Sequence, residues 1–191
     1  YSTKNGSTLT LTSGQGNSSV GAVRWVSDER IIFTTEPTNS SGKSIDAYAL
    51  WGMNIDGTKK KKLYQFKVAQ GYTARPKLTS LLPDDDKNVM VKINERRGTV
   101  DDYYTMNIFS GSKKKVASGP DIAKDEWLAQ VVEKADGTPL AAVSNVADTW
   151  RIWRYIEESD SWEIHFSNKC QTPTFFPCLL YTSDAADDDA C

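Results

Sequence analysis

Residues 48–64 read YALWGMNIDGTKKKKLY, and the reading of this stretch decides the fold. Apolar and polar residues alternate on both sides of Asp56-Gly57. Such alternation marks strands with one buried face. Asp-Gly between two strands is a hairpin signal, because Gly accepts a positive φ at no steric cost. Residues 47–55 (AYALWGMNI) and 61–66 (KKLYQF) therefore form an antiparallel pair. Immediately upstream lie two more alternating runs, residues 22–27 (AVRWVS) and 30–36 (RIIFTTE), separated by Asp28-Glu29. A polar loop, residues 37–46, joins them to the hairpin, so residues 22–66 make a unit of four strands.

The unit recurs downstream. Residues 78–82, 88–95, 102–109 and 113–118 repeat the order, with turns at 83–87, 96–101 and Ser110-Gly111. Residues 127–134, 140–146, 149–157 and 161–166 repeat it again, with turns at Asp136-Gly137 and near Ser159-Asp160. The turns before the fourth strands fall at Gly57, Gly111 and Asp160, which are 54 and 49 residues apart. A period near 50 with four strands per repeat is the pattern of a β-propeller blade. A blade cannot bury both its faces alone and must stack on neighbours. The fold expected is all-β: a partial β-propeller of about three four-stranded antiparallel blades (22–66, 78–118 and 127–166) within residues 1–177. Residues 8–13 (TLTLTS) read as the last strand of a preceding blade. Complete rings hold about four to eight blades, so an arc of three leaves outer faces bare and is expected to be poorly soluble or to oligomerise.

Composition agrees with a globular β protein. Hydrophobic residues make up 39% and charged residues 25% of the 191 positions, which excludes a largely disordered chain. Six Trp, eight Tyr and six Phe favour strands. A net charge of −2 provides no field for nucleic acid or an anionic membrane, and neither partner is expected. No apolar run approaches the ~18 residues of a spanning helix. The chain opens on Tyr1, not Met, so the natural start is expected further upstream, with any signal peptide out of view. A bacterial periplasmic or secreted location is favoured over a cytoplasmic one.

Several residues invite chemistry, and each has a plainer reading. Lys59–Lys62 and Lys113–Lys115 open the outermost strands of their blades, where Lys discourages edge-to-edge pairing. No aromatic stacking platform for bases accompanies them. His165 is the single histidine; it lies between Ile164 and Phe166 with no Gly-x-Ser-x-Gly turn in the chain, and reads as a surface imidazole. Glu157-Glu158 read as a solvated turn. Asn5, Asn17 and Asn39 head glycosylation-type triplets in polar stretches. The tryptophans are expected to pack between blades. No catalytic, cofactor-binding or metal-binding residue is assigned.

The blades resemble the amino-terminal propeller of the prolyl oligopeptidase family of serine peptidases, and dipeptidyl and acylaminoacyl peptidase-like members in particular. The resemblance is carried by VRWVSDERIIFTTE (23–36), YALWGMNIDGTKKKKLY (48–64), residues 81–120 and EWLAQVVEKADGTPLAAV (126–143), and covers residues 23–166. It implies a parent in which the propeller lies over an α/β-hydrolase domain with a Ser-Asp-His triad and admits short peptides while excluding folded proteins. No triad position can be carried onto this chain; the nucleophile turn would lie downstream of residue 191, and residues 1–191 should show no peptidase activity alone. The partners implied are peptide substrates of the intact parent and the hydrolase domain in cis. The alternative is a binding-only propeller of the TolB or WD-repeat kind. A propeller enzyme with a channel metal would need converging His, Asp or Glu ligands.

The ending, residues 178–191 (CLLYTSDAADDDAC), matches no blade. Residues 178–188 resemble the translation of an adapter from transposase-based sequencing libraries, so 178–191 is expected to be an artefactual, disordered tail outside the fold. Four acidic residues lie there, and without them the net charge becomes about +2. Two of the three cysteines, Cys178 and Cys191, lie there as well. Only Cys170 then remains, with no framework of disulfides or metal ligands.

Overall fold

A computed structural model describes residues 18–37, 49–69, 72–97 and 100–169. The expected strand at 8–13, the three glycosylation-type triplets at their Asn residues, all three cysteines and the tail at 178–191 lie outside the described residues. Within them the chain is all-β. Strands β1 (Ser18–Ser27), β2 (Arg30–Pro37), β3 (Ala49–Asn54) and β4 (Lys61–Gln65) form the first sheet. A short hairpin follows, β5 (Lys67–Ala69) and β6 (Tyr72–Ala74). Strands β7 (Pro76–Ser80), β8 (Asn88–Arg97), β9 (Val100–Asn107) and β10 (Lys113–Ala117) form the second sheet. The third comprises β11 (Trp127–Glu133), β12 (Pro139–Val146), β13 (Thr149–Ile156) and β14 (Ser161–Lys169).

Each four-stranded sheet is an antiparallel meander in chain order, consistent with a propeller blade. No ladder joins one of these sheets to another among the described residues. All twelve strands expected from alternation are present. Several ladders run further than expected: β1 begins at Ser18 rather than 22 and β7 at Pro76 rather than 78. β8 and β9 extend into the 96–101 loop, where Arg97 pairs with Val100, and β14 continues past Phe166 to Lys169, opposite Thr149. Backbone donors and acceptors keep pairing while both strands stay extended, whatever the side chains. The β5–β6 hairpin was not expected, because three-residue strands are too short for an alternation to register.

The turns explain the repeat. Gly57, Gly111 and Asp160 all have positive φ, at +83°, +76° and +46°. Asp56 fastens its turn by accepting hydrogen bonds from the Thr58 amide (2.8 Å) and hydroxyl (2.6 Å). Asp136 does the same with Thr138, at 2.9 and 2.6 Å. Asn107 substitutes a carboxamide oxygen, accepting from the amides of Phe109 (3.0 Å) and Ser110 (2.9 Å). These are side chain-to-backbone turns, in which the side chain mimics a backbone carbonyl.

The chain divides into two units. The first runs to Ser118 and includes the turn Ala135–Thr138; the second comprises Gly119–Lys134 and the chain from Pro139 onward. In the first unit the two sheets share one core. Val26, Ile32, Leu50, Leu63, Tyr64 and Phe66 pack with Val89, Val91, Ile93, Tyr104, Met106 and Ile108. Each such aliphatic or aromatic side chain contributes about 1.5–3 kcal/mol relative to exposure. A separate cluster, Ile31, Phe33 and Met53, occupies the other face of the first sheet, with the Lys60 ammonium 5.9 Å from the Phe33 ring centre.

In the second unit the third sheet is backed by a buried polar network. The Glu126 carboxylate accepts from the Ser144 hydroxyl, from Arg151 Nη1 (3.0 Å) and from the Ala123 amide (3.2 Å). Ser144 Oγ in turn accepts from the Trp153 indole N–H at 2.7 Å. Every buried polar group named here has a partner, which is what makes such a network tolerable.

Candidate functional site

The first unit carries a groove of about 350 Å³ where the shared core reaches solvent. β1 and β2 build one wall. Their antiparallel register sets Arg24 opposite Ile32, so Ala22, Arg24, Ile32, Thr34 and Glu36 come to one face. A bulge between Val20 and Val23 frees the Ala22 amide to donate to Thr34 Oγ1 at 3.0 Å. The opposite wall is Arg75 and the start of β7, held in place by the Asn94 side chain, whose oxygen accepts from the Arg75 amide at 3.3 Å. The floor is apolar: Ile32, Leu50, Phe66, Leu78 and Val91.

Charge on the rim is unevenly satisfied. Lys77 is held by Asp101 at 3.0 Å. Arg24 donates to the carbonyl of Val23, at 3.1 Å, and among the described residues neither Arg24 nor Arg75 pairs with a carboxylate. Glu36 lines the same groove and likewise has no ion pair there. The groove thus offers an apolar floor with two guanidinium groups able to take an anion, a combination typical of small-ligand sites.

A second cavity of about 370 Å³ is lined by residues that include Asp28, Glu29, Arg30, Asn54, Asp86 and Phe109. Arg30 dominates it and is 1% exposed. Its Nε donates to the Ile108 carbonyl (2.8 Å) and its Nη1 to Asn54 Oδ1 (2.7 Å), while the guanidinium lies 4.3 Å from the Phe109 ring centre. Burial lowers its pKa from the ordinary arginine value. Gly52 makes room: a Cβ there would stand 2.7 Å from both Arg30 Nη2 and the Ile108 carbonyl oxygen. Arg30 therefore joins the first sheet to the second, and its donors are already engaged. This cavity is structural.

The residues singled out by sequence do not converge. His165 is exposed at a bulge in β14, and no hydroxyl or carboxylate among the described residues hydrogen-bonds to it. Glu157-Glu158 open a short 3-10 turn, where Glu157 pairs with Lys134 at 2.6 Å on the surface. The lysine runs do border edge strands: β4 and β10 are the terminal strands of their sheets. Lys60 and Lys62 cover Trp51, each 5.3 Å from its ring centre, and Lys113 lies 4.1 Å from that of Tyr104. The tryptophans do not uniformly pack between sheets; Trp25 is 60% and Trp127 59% exposed, and Trp162 lies against Tyr155 of its own sheet. Among the described residues no group of three or more His, Cys, Asp or Glu could hold a metal, and no helix is long and apolar enough to cross a membrane.

Sequence reasoning passed over Arg24, Arg30 and Arg75. The signal for Arg30 was present, a charged residue directly before the apolar run Ile31-Ile32-Phe33 and opposite a strand that contains Gly52. Arg24 and Arg75 lie 51 positions apart, and only the packing of two sheets brings them to one groove. No protein-family model matches the chain, and no curated protein matches its sequence.

Proposed function

We propose that this chain is the propeller portion of a prolyl oligopeptidase-type serine peptidase, lying over an α/β-hydrolase domain in the same polypeptide and admitting short peptides to it. The observation that carries the reading is the ordered series of three four-stranded meanders, with turns before the fourth strand at Gly57, Gly111 and Asp160. The residues quoted for the family resemblance fall on these same strands and turns. The chemistry is assigned to the hydrolase domain; the propeller contributes size selection, because its channel passes an extended peptide and rejects a folded domain.

The test is to recover the intact gene and assay its product. A Gly-x-Ser-x-Gly strand-to-helix turn followed by Asp and then His is expected downstream. The full protein should then cleave short chromogenic peptides and be inactivated by a serine-directed phosphonate. Several hundred further residues without that turn would overturn the peptidase reading. The groove, whose two guanidinium groups have no carboxylate partner among the described residues, favours one second reading, a propeller of the TolB or WD-repeat kind that only binds.

A further inference from the structure

We propose that the groove between β1–β2 and β7 binds the C-terminal carboxylate of a short peptide whose last side chain is apolar. The choice of a peptide as ligand rests on the function proposed above; the carboxylate and the apolar side chain rest on the groove itself. A volume of about 350 Å³ lies at the small end of ligand pockets, room for one or two residues. Leu50, Phe66, Leu78 and Val91 offer an apolar floor to the terminal side chain. Arg24 and Arg75 supply guanidinium forks suited to a carboxylate, and neither is neutralised by a carboxylate among the described residues. Lys77 is already occupied by Asp101. Glu36, on the same rim, repels a second carboxylate and so selects against an acidic last residue.

The experiment uses the full 191-residue chain and calorimetric titration with N-acetyl-Ala-Leu-Leu as the free acid and as its C-terminal amide. The acid is expected to bind at least about tenfold more tightly than the amide, the size of one charge-assisted hydrogen bond. R24Q and R75Q should each lose about tenfold for the acid and nothing for the amide. Both arginines are exposed, so circular dichroism and the urea midpoint should not change. N-acetyl-Ala-Leu-Glu should bind more weakly, and E36Q should recover much of the loss. Equal binding of acid and amide, unchanged binding in both arginine variants, or no binding of the acid at about 10 mM would each overturn the proposal. The two ideas fail separately: a downstream gene without a nucleophile turn removes the peptidase and leaves the carboxylate site, while acid–amide equivalence does the reverse.

Discussion

The two units solve the same problem by different means. A four-stranded sheet has two faces, and both must be covered. In the first unit, two sheets contribute six residues each to one apolar cluster, and polar groups tie them together at the rim. Arg30 reaches the Ile108 carbonyl, and Tyr64 donates to Glu95 at 2.7 Å while Lys113 holds the other carboxylate oxygen. In the second unit, the segment before β11 lends Glu126 to a buried network on the third sheet. Both units leave large apolar side chains in solvent, Trp25 (60%) and Leu81 (45%) in the first among them. In the second they are Trp127 (59%), Ile164 (48%) and Phe166 (46%). Sheet-on-sheet packing depends on shape, so it is sensitive to single atoms; the network depends on complete pairing, so it is sensitive to single charges.

The largest effect should come from Gly111→Val. At φ +76° a β-branched residue is strained, and a Cβ would stand 2.2 Å from the Leu63 carbonyl oxygen. A loss of about 3 kcal/mol or more in urea unfolding is expected from strain and overpacking together. A change below about 0.5 kcal/mol, the range of neutral surface substitutions, would mean that the first unit tolerates shape errors. Next is Glu126→Ala, which strands Arg151 and Ser144 and should cost about 2–3 kcal/mol. A double-mutant cycle with Arg151→Met checks it: additive losses would show that the network carries no coupling. Arg30→Met removes the donors to Ile108 and Asn54 and should cost about 1–3 kcal/mol; unlike Gly111→Val it should act with little change in packing volume.

Two smaller effects sharpen the contrast at the surface. Phe166→Ser should leave stability within about 0.5 kcal/mol yet reduce self-association in light scattering, because β14 is a terminal strand with exposed Phe166 and no lysine run. Unchanged scattering would clear β14 of that role. The smallest effect concerns acid. Hydrogen bonds from Thr58 lower the Asp56 pKa from 3.8, and those from Asn88 and Lys87 lower that of Asp85. Groups lowered in the folded state stabilise it above their unfolded pKa, and that contribution fades as pH falls through the folded value. The urea midpoint should therefore drop below about pH 4, and the drop should be shallower in the Asp56→Asn, Asp85→Asn double variant. Parallel slopes would assign acid sensitivity elsewhere.

How much was legible beforehand differs between elements. The hairpin at Gly57 was legible because a positive φ demands Gly and strands advertise their faces by alternation. The lysines at the outer strands followed from position alone. The β5–β6 hairpin was illegible for want of length. Trp25 and Trp127 ran against expectation, since a large apolar ring says nothing about which neighbour, if any, covers it. The candidate groove was illegible for a related reason: Arg24 in β1 and Arg75 between β6 and β7 are each exposed arginines with nothing local to link them.

The amino-acid sequence by itself determined the local elements, because φ preferences, strand alternation and side-chain turns act over a few residues. It determined most of the strand order within each sheet for the same reason, since short turns favour the pairing of neighbours; β2 and β3, which pair across residues 38–48, are the exception. What the tertiary structure alone decided was everything carried across sheets. The burial of Arg30 beneath a carbonyl from a strand end 78 residues away, the close approach at Gly111 and the meeting of the Arg24 and Arg75 guanidinium groups over an apolar floor depend on how one face seats against another. That seating is set by the volumes of many side chains at once, and no short stretch of sequence contains it.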